Sequence, residues 1–137
     1  MINTLKDWIE TQLETVTELT GRVYTFVDDN TEFPCALINF IGTQAEEQTT
    51  NTNWRTYSFR IRVQYDLSSG TITEDNIDTY LYDIVDSIID LFDTQRRASG
   101  NAHILSPVGG RLDWLDTNRS IRYTDITLDF KKVTNAS

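Results

Sequence analysis

The 137 residues include one cysteine, one histidine, two prolines and six glycines, so the usual materials of disulfides, acid–base sites and tight turns are scarce. With Cys35 alone, no intrachain disulfide can form. It sits in the apolar stretch "PCALINFI" with no His or Lys beside it to lower its pKa, so it reads as a small buried hydrophobe and not a reactive thiol. With His103 alone and no serine or cysteine motif around it, a catalytic triad has no support, and a lone histidine is more often a packed or surface residue than a general base. The glycines of "PVGGRL" lack phosphate-loop spacing and suit a turn. No stretch approaches the roughly 20 apolar residues of a membrane span. The opening "MINTLKDWIE" lacks the apolar centre of a signal peptide, which predicts a protein folded in a cytoplasm, where the Asn118-Arg119-Ser120 and Asn135-Ala136-Ser137 triplets carry no sugar. Basic residues are also few. Twelve Lys and Arg against 21 Asp and Glu leave a net charge of −9, which argues against gripping a nucleic-acid backbone but does not bar contact with DNA that slides past without sticking.

Against these absences stand 39% hydrophobic and 11% aromatic residues, enough for a core without staples, and a length that fits one domain over residues 1–137. Leu5, Trp8, Ile9, Leu13, Val16 and Leu19 recur at spacings of three and four, predicting a helix over 3–19 capped by Asn3 and stopped by Gly21. Short strands are predicted over 22–27 and 35–41. Residues 42–53, "GTQAEEQTTNTN", hold no large apolar side chain and predict an exposed loop or an extended hairpin arm. A second helix is predicted to begin near Thr73, with Glu74 and Asp75 in its first turn, and to bury Ile77, Tyr80, Leu81, Ile84, Val85, Ile88, Leu91 and Phe92. Strands follow over 103–108 and 120–133, with a possible short one over 112–116. Ile121 and Tyr123 lie out of phase with Thr124, Ile126, Leu128 and Phe130, which predicts a bulge.

The clearest strand pattern is "WRTYSFRIRVQYDL". Tyr57, Phe59, Ile61, Val63 and Tyr65 alternate with Thr56, Ser58, Arg60, Arg62 and Gln64, one dry face against one wet. Short connections favour antiparallel neighbours, and two amphipathic helices must cover a sheet. The expected class is α+β: a mainly antiparallel sheet of about five strands with both helices on one face. Trp8, Phe59, Ile61, Ile84, Ile88 and Leu128 are expected to meet in its core.

Asp83, Asp86, Asp90 and Asp93 fall at spacings of three, four and three on the opposite face of the second helix. A hard cation could share such a stripe, yet the remaining ligands are lacking and EF-hand spacing is absent. A solvated or partner-facing surface is the plainer reading, and neither metal nor cofactor is expected.

Several features together resemble the tail terminator, or tail completion, proteins of long-tailed bacteriophages. They are the amphipathic N-terminal helix, the "PCALI" strand after a polar turn, and "YSFRIRVQYD" leading into the Asp-rich "DNIDTYLYDIVDSIIDLF". The last is the terminal "WLDTNRSIRYTDITLDF". The resemblance covers most of the chain but rests on pattern and order. It implies a non-enzymatic virion subunit at the head-proximal end of the tail. Its hexameric ring caps the tube, stops elongation and offers the head connector a docking surface while DNA passes through. A head–tail connector or neck protein is the alternative, and a small ligand-binding α+β domain a more distant one. In a ring, Arg60 and Arg62 could meet an acidic surface of the next subunit, such as Asp83, Asp86, Asp90 and Asp93 or Glu46 and Glu47. Equally, they could only solubilise an exposed sheet. Reversing both arginines is expected to spare the fold, and residues 44–53 to order on assembly.

Overall fold

The apolar spacing at the N-terminus forms α1 over Ile2–Leu13, burying Leu5, Ile9 and Leu13. The helix ends short of residue 19 because Thr15, Val16 and Thr17 are β-branched in succession and lose χ1 freedom against the preceding turn. Thr15 Oγ1 instead donates to the Gln12 carbonyl at 2.6 Å. Val16 turns extended (φ −77°, ψ 121°) before a 3-10 turn over Thr17–Leu19. Asn3 does not cap; Met1 occupies that position without a side-chain bond. Gly21 follows at φ +74°, with nothing within 4 Å of a Cβ built there. The Gly21→Ala substitution should therefore cost about 1 kcal/mol through backbone conformation alone, read from a urea unfolding midpoint.

The computed structural model describes residues 1–28, 30–47, 52–68, 70–95, 97–98, 102–115 and 117–135, with backbone alone at 46–47, 52–53 and 134–135. The second helix, α2, spans Ile77–Asp93 and buries Ile77, Leu81, Ile84, Val85, Ile88 and Phe92. Residues 73–76 form a turn closed by Asn76 N–H donating to the Thr73 carbonyl at 3.0 Å. Glu74 and Asp75 thus precede the helix, and Asp78 is the carboxylate in its first turn.

A seven-stranded sheet, two strands more than expected, supports both helices. β1 (Val23–Tyr24) lies parallel to β2 (Cys35–Glu47), which pairs antiparallel with β3 (Thr52–Asp66). β3 pairs antiparallel with β7 (Ile121–Asn135). The far edge of β7 is covered by β4 (His103–Ile104), β5 (Val108–Gly109) and β6 (Asp113–Trp114). Each of these is two residues long, too short to leave a pattern, and Pro107, lacking an N–H, falls between β4 and β5. Phe59, Ile61, Ile84, Ile88 and Leu128 meet in one core as expected, with Trp8 packed on it edge-on to Phe130 at 5.9 Å.

The bulge lies in β2 and not in β7: between Phe40 and Gly42 the register slips by Ile41. β7 pairs with β3 without interruption from Asp66↔Ile121 to Thr52↔Asn135, so Ile121 and Tyr123 simply take the helix-free face. The polar stretch after residue 41 is a hairpin arm, paired as far as Glu47↔Asn53; residues 48–51 lie outside the described residues. At about 3.3 Å per residue, the 15 residues of β3 span roughly 50 Å, against about 25 Å for the 17 residues of α2. The strands therefore outrun the helices that cover them.

Candidate interaction surfaces

Neither residue that might have carried chemistry stands in a reactive setting. His103 is exposed on β4, opposite Lys131 and bridged to Arg97. Cys35 is fully buried, and burial pushes its thiol from 9.0 up to about 12, only partly offset by a hydrogen bond with Gln64. The folded chain thus keeps a proton that the unfolded chain releases. This contribution to stability is fully present below pH 9 and is lost as pH rises towards 12. Burial raises the Tyr80 hydroxyl in the same sense. We expect the urea midpoint to fall across that alkaline range, and Cys35→Ala to flatten part of the slope. An unchanged slope in that variant would refute the assignment to Cys35.

The wet face of β3 is only partly wet, since Gln64 is buried beside Cys35. Arg62 lies directly opposite Asp125 and donates twice to it, Nε to Oδ1 at 2.8 Å and Nη2 to Oδ2 at 3.1 Å, while its guanidinium rests 4.3 Å from the Tyr123 ring centre. The Asp125 hydrogen bonds raise the pKa of Arg62 despite burial. Its planar fork is therefore committed within its own sheet. Arg60, two residues away, has no ion pair among the described residues, and its Nε is buried without a partner, as is Asp129 Oδ1 on the same face. Farther along the arm, Lys131 Nζ stands 3.9 Å over the Trp54 ring.

Asp83, Asp86, Asp90 and Asp93 are all exposed on the outer face of α2, which carries no basic residue. Among the described residues no group of three or more His, Cys, Asp or Glu is placed to hold a metal ion. Because the helices cover one face of the sheet and Arg60 lies on the other, stripe and arginine cannot meet within one chain. The side chains of Glu46 and Glu47 lie outside the described residues; their backbone belongs to the arm. Missed by sequence reasoning was the bidentate pair of Arg122 with Asp78, at 2.9 and 3.1 Å, which ties α2 to β7 across 44 positions. Such a separation leaves no local pattern to read.

The large exposed apolar side chains fall mainly at the two edges of the sheet. Phe26, Val27, Phe40 and Ile41 belong to the β1–β2 edge, and Leu105, Val108 and Leu115 to the β4–β6 edge.

The geometry defines a mixed α+β protein, two helices on one face of a mostly antiparallel sheet, whose conspicuous features are surfaces. The same fold occurs in a chain from the virion of a native gene transfer agent (GTA) particle. The two are similar at a TM-score of 0.63 over 98% of this chain and 97% of that one, with 11% sequence identity. No protein-family model and no curated protein matches the chain.

Proposed function

We propose that the protein is a structural virion subunit of a tailed phage or phage-like particle, acting without catalysis as the ring-forming tail terminator. The observation that carries the virion reading is the end-to-end likeness in fold to the gene transfer agent chain. The terminator role rests further on the resemblance in element order and on a surface built for contact. Its fold has a long arm overrunning the helices, an Arg60 without an ion pair among the described residues on one face, and on the other an α2 whose charged residues are all aspartates. In this reading the two broad faces are offered to the tail tube and the head connector, and the net charge of −9 lets DNA pass without adhering.

Particles made without the chain should carry overlong tails that lack heads, because nothing ends the tube or offers the head a surface. Electron micrographs of such particles decide the matter. Tails of normal length that lack heads would point to a connector or neck protein, and normal infectious particles would refute a virion role.

A further inference from the structure

A ring needs two unlike, complementary surfaces on each subunit, because a surface that pairs only with itself closes as a dimer. The chain presents such a pair at opposite edges of its sheet. At the β1–β2 edge, Phe26 and Ile41 are 67% and 57% exposed. The hollow beside Phe26 is framed by Glu10 and Asp28. At the β4–β6 edge, Val108 is 66% exposed, with Leu105 and Leu115 also open to solvent. Exposed Arg111 and Arg119 flank that edge without a carboxylate partner among the described residues. Among the described residues one edge is thus apolar with carboxylates, its Arg22 being paired with Glu32, and the other is apolar with two guanidiniums against the single exposed carboxylate of Asp113. Placing either against its own kind would oppose like charges, whereas placing one against the other buries apolar surface between paired charges.

Resting on the ring reading above, we propose that neighbouring copies of this chain meet edge to edge, the β1–β2 edge of one copy seated against the β4–β6 edge of the next. The arrangement leaves the helix-free face of the sheet and the outer face of the helices free for other partners. It also differs from a contact between Arg60 and the α2 carboxylates, which would stack the faces.

The test uses two full-length variants, Phe26→Asp and Val108→Asp, each altering one exposed edge, with circular dichroism to verify the fold. In native mass spectrometry at low salt, the unaltered chain should give rings and each variant alone should give monomers. An equal mixture should give a dimer that grows no further, because each partner supplies one intact edge. Association by either variant alone, or a mixture that stays monomeric, overturns the proposal. Rings from both variants overturn the edge pairing while leaving the ring reading intact. An unaltered chain that stays monomeric up to its solubility limit overturns both.

Discussion

Ile88→Ala is expected to lower the free energy of unfolding by about 2–5 kcal/mol, the range for truncating a buried aliphatic side chain whose surroundings relax only in part. Ile88 is fully buried in the cluster between α2 and the sheet, where Phe59, Ile61 and Leu128 also lie. A domain is stable by only about 5–15 kcal/mol, so this one change removes a large share of the margin. Asp86→Ala, two residues earlier on the same helix but exposed, should change stability by less than about 0.5 kcal/mol. Equilibrium unfolding in urea of the two variants separates burial from helix propensity, since alanine favours helix in both. Equal midpoints would refute the placement of α2.

Arg62→Glu should destabilise the isolated chain by roughly 1–3 kcal/mol, because it removes a two-bond, charge-assisted contact and sets a carboxylate opposite Asp125. Adding Asp125→Arg restores opposite charges across the same register position and should recover most of the loss. A double-mutant cycle measured by urea unfolding gives the coupling directly. Arg60→Gln should leave the midpoint almost unmoved, since Arg60 has no ion pair among the described residues to lose. The sequence-based expectation that both arginines are dispensable for folding therefore divides: it stands as a prediction for Arg60, while Arg62 is held by its own sheet. A null result for Arg62→Glu would mean that the Asp125 contact contributes little against solvent screening.

Period and polarity made much of this protein legible before any coordinates. The alternation of Tyr57, Phe59, Ile61, Val63 and Tyr65 against Thr56, Ser58, Arg60 and Arg62 identified β3. The three-and-four spacing from Ile77 to Phe92 identified α2 and its buried face. These signals survive because burial acts on each residue through its own position in a repeating geometry. Boundaries were less legible. The end of α1 depended on three adjacent β-branched residues competing with helical spacing, and the arm over 42–47 became strand only because β3 was there to pair with it. Without an apolar face of its own, that stretch carries no period.

The sequence by itself determined the α+β class and the identity of the core, since these follow from composition and local pattern. Only the tertiary structure decided which charges are spent and which remain free. Arg62 and Arg60 look alike in the chain, yet Asp125 stands opposite the first, whereas Thr127 stands opposite the second, which has no ion pair among the described residues. It alone also set the apolar residues of two distant segments at opposite edges of one sheet. Pairing partners lie tens of residues apart, and charge compensation falls off within a few ångströms, so neither is written in any window of sequence.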